Sequence, residues 1–213
     1  MLNKETRKNK LRSHIAEEYR SLRTNIEFSS LGYEMKSLVV TSCILGEGKS
    51  TVISNLAVSM ANNGKRVLIV DCDFKNPTIH KNFSLPNTHG ITNILIKDGK
   101  IEDIVVINTS TPNLYVIPSG PIYSNTSELL GSEKMKAILN ELTNSFDIVL
   151  IDSPPILHLS DALVLSALSQ GTIIVTSFGI TERNTLLSAK DKIEKVGGKI
   201  IGVVINKMPD IYN

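Results

Sequence analysis

Short runs of consecutive apolar residues, rich in Val, Ile and Leu, alternate along this chain with longer stretches whose apolar positions return every three or four residues. The runs Leu38–Thr41, Val67–Val70, Leu114–Ile117, Ile148–Ile151, Thr172–Thr176 and Ile200–Ile205 read as strands. Most are apolar throughout, as expected of parallel strands covered on both faces. The helical stretches are Ile15–Phe28, Ser50–Asn63, Met135–Asn144, Asp161–Leu168 and Glu182–Val196. Alternating strands and helices predict a single α/β domain with a doubly wound, mainly parallel sheet. Ligands of such sheets sit at the carboxyl ends of the strands. Pro118–Thr126, a mixture of Pro, Gly, Ser and Asn, reads as a loop. The domain is expected over 14–207, after a flexible basic arm (1–13) and before a short tail (208–213).

Composition narrows the class. The chain has 213 residues, 41% hydrophobic and 21% charged, enough for one sizeable core in an ordinary soluble domain. A net charge of +2 argues against a general nucleic-acid partner. Lys4, Arg7, Lys8, Lys10 and Arg12 crowd the start, as a solvated terminus or as a patch for an anionic leaflet. No run approaches the ~18–20 apolar residues of a membrane span. The N-terminus lacks the apolar core of a secretory signal. Two cysteines, Cys43 and Cys72, suit a reducing cytosol and read as small buried residues. A cytoplasmic location is expected.

The chemistry begins at Leu45-Gly-Glu-Gly-Lys-Ser-Thr51, set between a strand and a helix. That layout is a phosphate-binding P-loop. Gly46 and Gly48 let the backbone approach phosphates, and the helix start adds unpaired N–H donors and the positive end of its dipole. Gly46, Glu47, Gly48, Lys49, Ser50 and Thr51 are therefore candidate nucleotide-binding residues, with Lys49 on the β/γ-phosphates and Ser50 on Mg²⁺. The pattern is imperfect, because its first glycine falls on Cys43. Two other strands run into acidic residues, Asp71-Cys-Asp73-Phe-Lys75 and Asp152-Ser-Pro-Pro155. A carboxylate at the tip of a buried strand is costly unless a cation meets it. Asp152 occupies the Walker B position for the metal. Asp71 and Asp73 are expected to point to opposite faces, one toward the metal and the other toward a substrate hydroxyl.

Gly-Glu-Gly-Lys-Ser-Thr, Val-Leu-Ile-Val-Asp-Cys-Asp-Phe-Lys-Asn-Pro and Val-Leu-Ile-Asp-Ser-Pro-Pro resemble, in this order, Walker A, A′ and B of the bacterial tyrosine kinases. The resemblance extends to Glu17, Arg20 and Arg23, which fit the family's E-x-x-R-x-x-R pattern, and to Pro77–Phe83, Ser127–Leu130 and Gly202–Lys207. It implies an autophosphorylating protein-tyrosine kinase that uses ATP and Mg²⁺ and regulates capsular or extracellular polysaccharide synthesis. It implies a membrane-bound activator of the polysaccharide co-polymerase type that recruits the kinase to the inner face of the membrane. It also implies assembly into a homo-oligomeric ring, with protein tyrosines as substrates. Site residues carry over accordingly. Asp71, Asp152 and Ser50 would hold the metal, Asp73 would accept the tyrosine proton, Lys49 and Lys75 would supply positive charge, and Asn206 would contact adenine. Glu17, Arg20 and Arg23 would form a subunit contact, although Glu17 and Arg20 also read as an exposed intrahelical pair.

The chain departs from the family at several points. Leu45 replaces the usual proline before Gly-Glu-Gly-Lys, and Lys75 replaces an arginine, keeping the charge but losing the planar fork. Ile-Tyr-Ser-Asn-Thr stands where the Pro-Pro-Asn-Pro loop is usual, and the C-terminal tyrosine cluster is reduced to Tyr212, the candidate phosphoacceptor. Two alternatives share the fold: a non-catalytic nucleotide-binding scaffold and a partitioning-type ATPase switch. Ile44, where such switches carry an extra lysine, counts against the second.

Overall fold

The computed structural model describes residues 4–30, 32–96, 107–121 and 126–209, with 4–12 and 107–108 described by their backbone. Seven strands form one sheet: β1 (Ser37–Ser42), β2 (Val67–Asp71), β3 (Ile107–Asn108), β4 (Leu114–Ile117), β5 (Ile148–Asp152), β6 (Gly171–Ser177) and β7 (Ile200–Asn206). Their order is β3-β4-β2-β5-β1-β6-β7. Six run parallel, and β3 pairs antiparallel to β4 at one edge. The helices are α1 (Lys4–Ser29), α2 (Lys49–Asn62), α3 (Ile79–Asn82), α4 (Ile91–Ile96), α5 (Thr126–Leu130), α6 (Glu133–Ser145), α7 (Asp161–Leu168) and α8 (Arg183–Lys195).

Successive side chains of a strand point to opposite faces, so continuously apolar strands supply two cores. Val40, Ile69 and Leu150 meet Ile53, Leu56 and Met60 of α2 and Ile26 of α1 on one face. Val39, Leu68, Val149 and Ile151 meet Ile94 of α4, Ile138 and Leu142 of α6 and Leu165 of α7 on the other. Every residue of β1, β2, β5 and β6 is buried. Register then fixes the site: Asp71 lies beside Asp152, and Asp152 pairs with Val40 shortly before the P-loop leaves β1.

All six predicted strands are present, but β7 is not covered on both faces. It is an edge strand, with Val203 and Ile205 exposed. Helix α1 begins at Lys4 rather than Ile15, so the chain expected as an arm continues the helix backbone from residue 4. The short elements β3, α3, α4 and α5 are not legible in the sequence, because too few residues carry their periodicity. Pro118–Thr126 leads into α5 at Thr126, and positions 122–125 lie outside the described residues. No described helix is long and apolar enough to cross a membrane.

Candidate active site

The P-loop connects the buried end of β1 to the first turn of α2. Gly46 and Gly48 take φ values of +81° and +88°, which L side chains resist. A Cβ on Gly48 would also lie 2.2 Å from Asn206 Nδ2, so a larger residue there would displace the Asn206 side chain. Gly48 supplies no side-chain cap to α2, and the donors of the first turn stay available to an anion.

Asp71, Asp73 and Asp152 converge beside this turn with no solvent exposure. Ser50 Oγ donates to Asp152 Oδ2 at 2.7 Å. Lys49 Nζ lies 2.7 Å from Asp73 Oδ2 and 3.4 Å from Ser50 Oγ. Asp71 is turned to the main chain: its two oxygens accept the N–H groups of Asp73 and Ile79, each at 3.2 Å. The other oxygen of Asp73 accepts the N–H of Asn76 at 3.0 Å. The expectation that Asp71 and Asp73 point apart is corrected here. Residues two apart along an extended chain share a side; the Lys49 ammonium pairs with Asp73 and also feels the charges of Asp152 and Asp71.

Three buried carboxylates face one ammonium, and the proton affinities reflect it. Burial pushes the Asp152 carboxyl up to about 6, against the opposing pull of Lys49 and Ser50. Burial, then the charge of Asp152, pushes Asp71 well above the usual carboxylate range. For Lys49 burial alone would lower the value, but Asp152, Asp73 and Asp71 together raise it. Asp152 Oδ1 is buried without a hydrogen-bond partner. Excess negative charge and an orphaned oxygen beside Ser50 suit a divalent cation. Among the described residues no three His, Cys, Asp or Glu side chains form a ready cage. The set therefore fits a hard ion that takes one or two protein ligands and completes its shell with phosphate oxygens and water.

The other predicted residues separate into groups. Asn206 sits against the loop, its Nδ2 donating to the Glu47 carbonyl at 2.8 Å. Thr51 is exposed on the first turn of α2. Lys75 is exposed and joins none of the ion pairs among the described residues. Glu47 is corrected in its side chain, which turns inward to Ile44, Ser177 and Thr181. Glu17 and Arg20 form an exposed ion pair at 2.6 Å on α1. Arg23 is engaged within its own chain, donating to the Ser59 carbonyl of α2 at 3.0 Å. Tyr212 lies outside the described residues. Sequence reasoning gave no role to three residues that shape the loop. Asn82 Nδ2 donates to Ser50 O and Ser54 Oγ, Lys207 Nζ donates to Gly46 O at 2.6 Å, and Thr181 bonds Glu47. Only Asn82 and Lys207 had a signal, as they fall in stretches that resemble the kinases. A separate cavity of about 430 Å³ at the amino ends of the strands, lined by Ile26, Tyr33, Met35, Met60 and Ile148, is remote from this chemistry.

A family model described as an AAA domain matches residues 35–196. The tyrosine-protein kinase YwqD of Bacillus subtilis is 42% identical over 191 residues, covering 90% of this chain and 80% of the relative. The chain belongs to the bacterial tyrosine kinases. Solved structures agree. The chimerical protein CapA2B2 superposes with a TM-score of 0.86 at 36% identity, covering 91% of this chain and 85% of that one. The kinase domain of the Escherichia coli tyrosine kinase ETK gives 0.85 at 28% identity, covering 93% and 79%. The kinase is thus a P-loop protein, of a fold that in general binds a nucleotide together with a divalent metal.

Proposed function

We propose that this kinase transfers the γ-phosphoryl group of ATP to protein tyrosines, its own Tyr212 among them, and so regulates capsular or extracellular polysaccharide synthesis. The observation that carries this reading is the Lys49–Asp73 ion pair next to the Ser50–Asp152 hydrogen bond. It sets side by side, at the start of α2, an ammonium that would bind phosphate and a carboxylate that would accept the proton. The ATP phosphates give Lys49 a second set of anions, which releases Asp73 to the incoming phenol. A free phenol has a pKa of about 10 and attacks poorly at neutral pH without an acceptor. The phenolic oxygen then bonds to the γ-phosphorus, the bond from that phosphorus to the β–γ bridging oxygen breaks, ADP leaves, and the phenolic proton passes to Asp73. Ser50 and Asp152 would hold Mg²⁺, which supplies charge compensation at the phosphates. Asn206, at the rim of the loop, would meet the adenine.

Glu17 and Arg20 are exposed and available for a contact between copies of the kinase, whereas Arg23 is held by α2. The family resemblance supports a ring of such copies and recruitment to the inner face of the membrane by a co-polymerase-type activator. The test is an assay with ATP, Mg²⁺ and the activator's cytosolic tail, read by phosphotyrosine mass spectrometry. Wild type should label Tyr212, Tyr212→Phe should lose that label, and Asp73→Asn and Lys49→Met should transfer at least about 100-fold more slowly, the scale of lost general-base or charge stabilisation. ATP binding without label on any tyrosine would make the protein a nucleotide-binding scaffold instead.

A further inference from the structure

An acidic side chain inside a phosphate-binding loop has to face away from the ligand, since a carboxylate facing phosphates would repel them. Glu47 avoids this by pointing the other way, with 2% of its surface exposed. Its Oε2 accepts the Ile44 N–H at 2.8 Å and closes the loop on itself. Its Oε1 accepts the Ser177 N–H at 3.3 Å and the Thr181 hydroxyl. Ser177 ends β6 and Thr181 stands in the turn before α8, and the Ser177 N–H also reaches Thr181 Oγ1 at 3.0 Å. Two more bonds tie the loop to the end of β7, from Asn206 to the Glu47 carbonyl and from Lys207 to the Gly46 carbonyl. A buried carboxylate is tolerated only while its oxygens are hydrogen-bonded. No ion pair among the described residues involves Glu47. Its donors are therefore neutral groups that must stay in register with it.

We propose that Glu47 is a positioning residue. Through Thr181 and Ser177 it latches the P-loop to the β6–α8 turn and holds the loop amides and Lys49 ready for the phosphates. A loop ordered before its ligand arrives loses less conformational freedom on binding. The inference rests on reading the P-loop as the nucleotide site. Thr181→Val removes the hydroxyl with little change of shape, Thr181→Ser keeps it, and Glu47→Gln keeps one acceptor in place of two.

The test measures MgADP affinity by titration calorimetry, amide hydrogen exchange over residues 43–51 without nucleotide, and the melting temperature of each variant. Thr181→Val and Glu47→Gln should bind MgADP about tenfold more weakly, the scale of a lost charge-assisted hydrogen bond. They should exchange the loop amides faster, with melting within a few degrees of wild type. In the phosphotransfer assay Thr181→Val, a change outside the P-loop, should raise the KM for ATP while kcat at saturation stays within about threefold. Thr181→Ser should restore affinity to within about twofold. Wild-type affinity in both Thr181→Val and Glu47→Gln would overturn the proposal, as would a Thr181→Ser variant no better than Thr181→Val. Weaker binding that only accompanies a large fall in melting temperature would also overturn it. A wild-type protein that binds no MgADP would overturn the nucleotide-site reading and the latch together, whereas unaltered variants beside a binding wild type would remove the latch alone.

Discussion

At Asp152, burial and charge act in opposite directions, and burial prevails. Its carboxyl titrates at about 6 in the fold, against an ordinary value of 3.8 in the unfolded chain. Between those values the folded protein holds more protons than the unfolded one, so stability falls as pH rises. The stabilising contribution is complete below about pH 4 and is lost as pH passes through 6. Asp71, shifted in the same direction, adds to the effect. Without nucleotide or metal, wild type should lose about 1–3 kcal/mol relative to Asp152→Asn between pH 4 and pH 7, since a tenfold change in proton affinity corresponds to about 1.4 kcal/mol. Urea denaturation of both proteins across that range checks this. A difference that does not change with pH would show that Asp152 carries no such strain.

Helix α1 divides into two parts with different physical roles. Its second half is joined to α2: Ile26 is buried, Arg23 donates to the Ser59 carbonyl, and Ser59 Oγ donates to the Tyr19 carbonyl at 3.3 Å. Glu17 and Arg20, by contrast, pair in solvent with 60% of each side chain exposed. Arg23→Ala should cost about 1–2 kcal/mol in chemical denaturation, because a half-buried charge-assisted hydrogen bond is lost. Arg20→Ala should cost no more than about 0.5 kcal/mol, the value of an exposed helical pair. If α1 makes the contact between copies, sedimentation should show Arg20→Ala assembling less at unchanged stability. An equal loss of stability in both variants would contradict this division of the helix.

For the kinase taken entire, the proposed nucleotide site is a seam between distant segments, so occupancy should stabilise the whole domain. MgADP at one hundred times its dissociation constant adds about 2.7 kcal/mol to a protein that binds it only when folded. For a chain of this size that corresponds to a melting shift of roughly 5–10 °C. Lys49→Met should lose most of the shift, because the phosphates lose their cation. Differential scanning calorimetry with and without MgADP measures it. Binding detected by calorimetry without any rise in melting temperature would mean that the site forms independently of the fold. The β7 edge also reflects the global arrangement: Val203 and Ile205 stay exposed because no further strand or helix among the described residues covers them.

Much of this protein is written in neighbouring residues. Apolar runs of four to six residues marked the six parallel strands, since a strand buried on both faces needs no polar alternation. Glycines at Gly46 and Gly48, followed by Lys49 and Ser50, marked the phosphate loop, since the backbone conformation and the reach of those side chains are local properties. The remainder came from packing between distant segments. Glu47 reads as part of a nucleotide motif, yet its side chain is satisfied by Thr181, 134 positions away. Arg23 reads as one of three equivalent residues, yet the Ser59 carbonyl 36 positions on takes it from the surface. β7 reads like the central strands and becomes an edge, because strand order is set by how the crossover helices pack and not by the composition of any one strand. The common reason is burial: where a charged or apolar side chain ends is fixed by the segments that arrive beside it, and those lie far away along the chain.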